Sequence, residues 1–338
     1  MPTATSFHEA IASAEGKKHA LLGNGFSRAC FENIFSYDAL FDQANFEGLS
    51  NAAHRAFAAL DTTDFEVVIR GLKQSAVLTA VYLEGSPEPS ARMDADANAL
   101  RELLASTIAK SHPDRPAAIN AEQYAACKTF LRNFDSIYTL NYDLLLYWAL
   151  MQAEVEPDVR FDDGFRQPED GAAEYVSWDA DKKHGQTLHY MHGALHIYDA
   201  GAELQKYTWC NTRIALIDQI RAALNRNNFP LFVAEATAKS KLEKIEHSSY
   251  LSRAKRSFGA RMDNLFTFGF SFVPTDEHIL TALAKGTVKC AFISLYGDPN
   301  SEVNRTIVQR AEHVAARRPR TRPLALAYYD ADSAGVWG

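Results

Sequence analysis

The sequence contains little cysteine. Cys30, Cys127, Cys210 and Cys290 are far apart along the 338 residues. A four-thiolate zinc site needs closely spaced cysteine pairs, and a mixed histidine site has no supporting spacing, so we expect no bound metal. Scattered cysteines are also typical of a reducing compartment.

The sequence also has no long apolar run and no excess of basic residues. No segment is long and apolar enough to span a membrane, and the N-terminus lacks a signal-peptide core, so we expect a cytoplasmic protein. A net charge of -7 disfavours a permanent nucleic-acid surface, which would need a basic stripe. The basic run at 317–322 is interpreted as a solvated loop.

Apolar runs and turn residues indicate an α/β fold. A hydrophobic content of 47% is enough for a sizeable core. Helical periodicity separates most of the strand-like runs, which predicts one domain over 1–338 with a doubly wound, mostly parallel, Rossmann-like sheet. The predicted strands lie near residues 19–23, 136–140, 187–191, 230–234, 264–270, 289–295 and 323–328.

Residues 38–134 read almost entirely as helix. We interpret them as a helical insertion that forms one wall of a cleft. A hairpin is predicted from the runs at 195–198 and 207–209. The helices predicted in the insertion are Ala52–Leu60, Phe65–Leu83, Ala97–Ile108 and Tyr124–Phe134, with a linker at 85–90.

The first candidate motif follows the first strand. Gly23, Asn24, Gly25 and Ser27 come directly after Leu21-Leu22. The glycines allow close approach to the backbone, so a phosphate is expected against the amides of this turn, with Ser27 as a further donor. The dinucleotide fingerprint is incomplete because no third glycine follows, and an ordinary strand-to-helix turn is an equal alternative.

The second motif combines an amide with a carboxylate. Asn141 and Asp143 follow the strand Ile137–Leu140 and precede an apolar helix that starts at Leu144. One of them is expected to cap this helix. Capping needs a single short polar residue, so the pair also indicates a ligand site at the edge of the sheet.

Two further strand ends carry candidate residues. His192 stands before Gly193 where the third strand should end, although a structural role is the commoner one for histidine. Gly269 and Ser271 follow the fifth predicted strand, where the glycine would let an adenine or ribose lie on the backbone. Thr275 or Asp276 is then expected to cap the next helix.

In this order the four motifs resemble the sirtuin-like superfamily. They are the glycine loop at 23–27, Thr-x-Asn-x-Asp at 139–143, His192-Gly193 and Gly-x-Ser at 269–271, and the resemblance covers about residues 18–297. The chain looks most similar to a bacterial branch without the zinc module, whose relatives include anti-phage proteins that destroy NAD. The missing cysteine pairs and the sequence after the glycines argue against peptide deacylation.

The resemblance implies that NAD is the substrate and that the protein is an NAD glycohydrolase, with anti-phage defence as its setting. It implies that Asn141 holds water or the ribose hydroxyls, that His192 accepts a proton, and that Asp143 shapes the nicotinamide pocket. Gly23, Asn24, Gly25, Ser27, Gly269 and Ser271 would contact the nucleotide. The alternative is a non-catalytic nucleotide sensor. Besides NAD, a second copy of the chain and an activating protein remain open as partners.

Overall fold

A parallel β-sheet forms the centre of the protein. The computed structural model describes residues 3–83, 85–152, 161–168, 173–180, 185–226, 228–234, 238–260 and 263–338. The strands are β1 (Lys18–Leu22), β2 (Ser136–Thr139), β3 (Phe165–Arg166), β4 (Tyr175–Trp178), β5 (Leu188–Tyr190), β6 (Ile197–Asp199), β7 (Leu204–Tyr207), β8 (Asn264–Phe268), β9 (Cys290–Leu295) and β10 (Ala325–Asp330).

The strand order identifies the topology. The six-stranded sheet has the order β10-β9-β8-β1-β2-β5, and all five neighbouring pairs are parallel. The chain moves outward from β1 through β2 to β5, returns past β1 to β8, and then moves outward through β9 to β10. This is the Rossmann order, with its switch point between β1 and β8, where ligands bind in open α/β sheets. The predicted fold class is confirmed.

Both faces of the sheet are buried. Ala20 and Leu22 of β1 pack into one hydrophobic cluster, whereas Leu21 packs into a second cluster on the opposite face. Alternate residues of a strand point to opposite faces, so both faces need a covering layer. This explains why β1 is a continuous apolar run.

Helices cover the sheet and form the insertion. They are α1 (Phe7–Ser13), α2 (Gly25–Cys30), α3 (Glu32–Phe35), α4 (Tyr37–Gln43), α5 (Asn51–Ala59), α6 (Phe65–Tyr82), α7 (Pro87–Ser111), α8 (Ala121–Leu131), α9 (Leu145–Met151), α10 (Trp209–Thr212), α11 (Leu216–Leu224), α12 (Ala238–His247), α13 (Ser249–Gly259), α14 (Glu277–Lys285) and α15 (Glu302–Ala316). Within the described residues, no helix is both long and apolar enough to cross a membrane.

The predicted insertion contains α4 to α8, with some changes of boundary. The expected linker at 85–90 is shorter, and the helix expected at 97–108 is longer, because Pro87 begins α7, which continues to Ser111. Proline is well tolerated in the first turn of a helix. The helix expected at 124–134 starts earlier, at Ala121, because the side chains of Asn120 and Gln123 cap its first turn.

Outside the large sheet, one strand prediction is confirmed and another is wrong. The predicted hairpin forms as β6 and β7 in a four-stranded antiparallel sheet of order β3-β4-β7-β6, but its second strand ends at Tyr207, because Trp209 begins α10. The predicted strand at 230–234 forms only an isolated bridge between Phe232 and Gly193 in the described chain. Its apolar residues pack against the turn that follows β5, where the Val233 amide donates to the His192 carbonyl at 2.8 Å.

Candidate functional site

A cleft of about 330 Å³ lies at the C-terminal ends of β1, β2 and β8. This is the edge of the sheet at which the switch point predicts a ligand. The insertion contributes side chains from α4, α6 and α7 to its walls. Seven of the nine predicted site residues line the cleft: Gly23, Asn24, Asn141, Asp143, His192, Gly269 and Ser271.

The glycines join two loops. The Gly23 amide donates to the Phe268 carbonyl at 2.9 Å, and the Gly25 amide donates to the Gly269 carbonyl at 3.1 Å. A Cβ atom on Gly25 would lie 2.5 Å from the Gly269 Cα. The β1 and β8 loops can approach this closely only because both positions lack a side chain.

This packing occupies most amides of the first loop. The Phe26 and Ser27 amides also donate to backbone carbonyls, those of Gly23 and Asn24, at 3.0 and 3.1 Å. Four of the five amides from Gly23 to Ser27 therefore have partners inside the protein. The phosphate-binding role of this loop stays a prediction, which rests on Gly23 and Asn24 at the cleft surface.

Ser27 and Asp143 hold the Asn141 side chain through a chain of hydrogen bonds. The Asn141 side-chain nitrogen Nδ2 donates to the Ser27 hydroxyl at 3.1 Å, and that hydroxyl donates to the Asp143 carboxylate. The other Asp143 oxygen accepts from the Leu145 amide, the first amide of α9, at 2.8 Å, although Leu144 occupies the N-cap position. Burial raises the pKa of Asp143. Ser27 is thus a buried connector in this arrangement.

Asn141 presents an acceptor to the cleft. Its residue is 9% exposed, and its side-chain oxygen accepts no hydrogen bond within the described chain. This oxygen is accessible from the cleft, so a ligand or a water molecule can supply the donor. The position of Asn141 therefore fits the binding of a hydroxyl group or a water molecule.

His192 is neutral and forms a pair with His278. Their Nε2 atoms lie 2.9 Å apart. The His278 Nδ1 atom is buried without a partner among the described residues. Because a buried N–H without an acceptor is rarer than a bare ring nitrogen, we place the shared proton on His278 Nε2, which leaves His192 protonated at Nδ1.

The surroundings of His192 make it a weak base. Burial lowers its pKa well below the ordinary value, and the positive charge of Lys241 and the neighbouring His278 lower it further. The imidazole is therefore uncharged at physiological pH. Its affinity for a proton is much smaller than that of a free histidine, and the bond from His278 already occupies its unprotonated nitrogen.

Three charged residues beside the site were missed in the sequence. Lys241 of α12 is 1% exposed, and its ammonium lies 2.7 Å from Glu66 Oε2 and 3.1 Å from Asp276 Oδ1. Glu66 Oε1 also lies 3.0 Å from the Tyr142 hydroxyl. The expected capping role of Asp276 is wrong: it occupies the N-cap position of α14 without a side-chain capping bond and instead pairs with Lys241.

His192, Asp276 and His278 bring potential metal ligands together. One ligand atom from each lies within 4.8 Å of the others. Asp276 and His278 are distant from His192 in sequence, and the fold brings them next to it. The sequence around His192 therefore gave no sign of this group. The Lys241 ammonium already neutralises Asp276 and would repel a second cation at this position. The absence of a bound metal therefore stays our prediction.

Further charged residues line the cleft. Asp64 precedes α6, and Arg70 and Arg310 supply positive charge. Burial and the nearby Glu66 raise the pKa of Asp64 to about 6. An aspartate before an apolar run is a recognisable helix start, but no local signal shows that it faces the site.

Almost the whole chain, from within β1 onward, matches one family model. Residues 20–337 match the domain of unknown function DUF4917. The chain belongs to the DUF4917 family. A search of curated proteins found no match. The DUF4917 region includes every residue placed in the cleft, so the sheet and its candidate site belong to one family unit.

Proposed function

We propose that the protein hydrolyses NAD at the bond between nicotinamide and ribose. The observation that carries this proposal is the Asn141 side chain, whose oxygen accepts no hydrogen bond from a described residue and lines a cleft at the switch point of a Rossmann-order sheet. In the reaction, a water oxygen bonds to the ribose C1′ atom and the C1′–N bond breaks. The electron pair of the C1′–N bond goes to nicotinamide, and the attacking water gives up a proton.

Charge in the cleft suits the two ends of NAD. Arg70 and Arg310 offer positive charge for the diphosphate, and Gly23 and Asn24 lie at the same cleft surface. Carboxylates from Asp64, Glu66 and Asp276 line the same cleft. Positive charge on the ribose grows as nicotinamide leaves, so negative charge fixed there favours the transition state.

Asn141 and His192 have different roles in this proposal. The free amide oxygen of Asn141 holds the attacking water or a ribose hydroxyl, while Asp143 fixes the Asn141 amide through the Ser27 hydroxyl. His192 acts mainly as a neutral hydrogen-bonding group, because its pKa is well below the ordinary value. Asp143 is therefore a positioning residue. The resemblance of the four motifs to sirtuin-like proteins supports the same chemistry.

The second candidate is a sensor that binds NAD without cleaving it. The low basicity of His192 favours this candidate, because no strong base stands beside Asn141 in the described cleft. Both candidates use the same residues for binding. They differ only in whether the bound dinucleotide reacts.

Incubation of the purified protein with NAD separates the two candidates. Release of nicotinamide together with ADP-ribose supports the hydrolase, and its absence at every protein concentration, with NAD bound in calorimetry, supports the sensor. If NAD neither binds nor reacts, both candidates are rejected. Parallel assays with an Asn141→Ala protein exclude a contaminating hydrolase.

A further inference from the structure

Asp64 contributes a carboxylate to the lining of the cleft. It precedes α6, and its Oδ1 atom accepts from the Glu66 amide at 2.8 Å. No ammonium or guanidinium group of the described residues forms an ion pair with it. Glu66 and Asp276, in contrast, share the ammonium of Lys241. The three carboxylates and one ammonium therefore leave negative charge at this end of the cleft.

The start of α6 is held against the predicted site. Glu66, two residues after Asp64, contacts the Tyr142 hydroxyl at 3.0 Å, and Tyr142 follows Asn141 in sequence. Glu66 also contacts Lys241, which contacts Asp276. Asp276 Oδ1 in turn lies 4.0 Å from His192 Nε2. These contacts connect the helix that carries Asp64 to both Asn141 and His192.

A second observation, on Asn141, points to a ligand site in the same cleft. The Asn141 side chain is nine-tenths buried, lines the same cleft, and has an oxygen without a donor among the described residues. The cleft therefore presents a carboxylate and an amide oxygen together. Hydroxyl groups and positive charge on a ligand satisfy both.

We propose that Asp64 contacts the positively charged N-ribosyl pyridinium end of the substrate. This inference rests on the proposed function, and it extends that function by adding a substrate-binding carboxylate from the helical insertion. The oxidised nicotinamide ring carries a positive charge, which passes to the ribose as the ring leaves. A carboxylate held at this position would favour both the bound substrate and the transition state.

The pKa of Asp64 supports this role. Burial and Glu66 raise it to about 6, while Lys241 opposes the rise. The groups that act electrostatically with Asp64 are Tyr37 from α4, Glu66 from its own helix and Lys241 from α12. A cationic ligand favours the ionised carboxylate, so its binding should lower the pKa of Asp64 and release protons near pH 6.

The test compares NAD with ADP-ribose, which lacks the charged ring, by calorimetry at pH 7.5. In Asp64→Asn the helix cap is retained, since asparagine caps as well as aspartate, but the charge is removed. We expect its affinity for NAD to fall about tenfold, the order of one partly buried charge pair, and its affinity for ADP-ribose to change less than twofold. Asp64→Ser, another capping residue, should give the same result.

Asp94→Asn is the matched control, because Asp94 is exposed and pairs with Lys73 away from the cleft lining. It should change neither affinity. Equal losses for the two ligands in Asp64→Asn, or no loss, would overturn the inference. A selective loss without nicotinamide release would keep the inference and reject the hydrolase. NAD cleavage with unchanged NAD affinity in Asp64→Asn would keep the hydrolase and reject the inference about Asp64. A wild-type protein that binds no NAD would reject both the hydrolase and the inference.

Discussion

The Nε2 atoms of His192 and His278 lie 2.9 Å apart in the protein interior. At this separation one ring nitrogen carries a proton and the other accepts it, so the two rings form a neutral pair. Lys241 lies close enough to lower the pKa of both histidines, which opposes protonation of the pair. In the proposed site, the pair therefore acts through oriented hydrogen bonds more than through basicity.

A consequence can be measured in a His192→Ala variant. Loss of a positioned hydrogen-bonding group should lower the rate of nicotinamide release about a hundredfold, with little change in NAD affinity. Because the pKa of His192 lies well below its ordinary value, the ring does not titrate between pH 6 and 8. When nicotinamide release is measured at pH 6 and at pH 8, the ratio of the wild-type rate to the variant rate should be the same. A ratio that shrinks toward pH 6 would mean that His192 has an ordinary pKa.

Stability should decrease in mild acid. Burial lowers the pKa of His112 and His189 to about 4 and that of His278 to about 3. Unfolded histidine has a pKa near 6.5, so below that pH the unfolded chain binds protons that the folded protein does not. Each histidine then removes about 1.4 kcal/mol of unfolding free energy per pH unit until its folded pKa is reached.

Asp64 opposes this trend, because its raised pKa of about 6 lets the folded protein bind a proton before the unfolded chain does. Asp143, whose pKa burial also raises, acts in the same direction as Asp64, but the pKa values of His192 and His196 are lowered as well, so the net effect stays destabilising. Urea unfolding at pH 7.5 and pH 5 should show a lower unfolding free energy at pH 5. Equal values would contradict the buried, neutral state of these histidines.

The Lys241 ion pairs should make a large contribution to stability. Lys241→Met leaves Glu66 and Asp276 without their cation, and the loss of one partner of a buried ion pair typically costs about 3–5 kcal/mol. Lys239→Met is the control in the same helix, since Lys239 is 87% exposed and pairs only at 3.8 Å with Glu243. It should change the unfolding free energy by less than about 0.5 kcal/mol. Similar effects in both variants would contradict the ion pairs of Lys241 with Glu66 and Asp276.

The glycine contact between the β1 and β8 loops gives another prediction. Gly25→Ala places a Cβ atom 2.5 Å from the Gly269 Cα and should lower the unfolding free energy by about 1–3 kcal/mol or more. Gly259→Ala is the control, because a Cβ there meets nothing within 4 Å. Thermal unfolding of both variants measures the difference. An unchanged melting temperature in Gly25→Ala would show that the loops pack less closely.

The strands of the large sheet were predictable because each is a short apolar run with clear ends. β1 and β2 lie within a residue of their predicted bounds, since local composition alone defines such runs. The run at 230–234 has the same composition, but it packs against the turn after β5 and not into the sheet. Composition indicates burial, and long-range pairing decides whether a buried run becomes a strand.

The positions of the candidate residues were predictable where they follow strands. Asn141 and His192 both line the cleft, because polar residues at strand ends gather at one edge of a parallel sheet. Glu66 and Lys241 lie on helices where charged residues are usually solvated, and 175 positions separate them. Their pairing depends on how α6 and α12 meet, which no local pattern in either helix reveals.

The most direct test of the account is nicotinamide release by the wild-type protein and Asn141→Ala, measured on the same preparations as NAD affinity and melting temperature. We expect the wild-type protein to release nicotinamide. Asn141→Ala should be at least about a hundredfold slower, because loss of the water's position affects the transition state more than the bound ground state. Its NAD affinity and folding should be largely retained. Equal release per folded molecule by the two proteins would contradict the site proposed around Asn141.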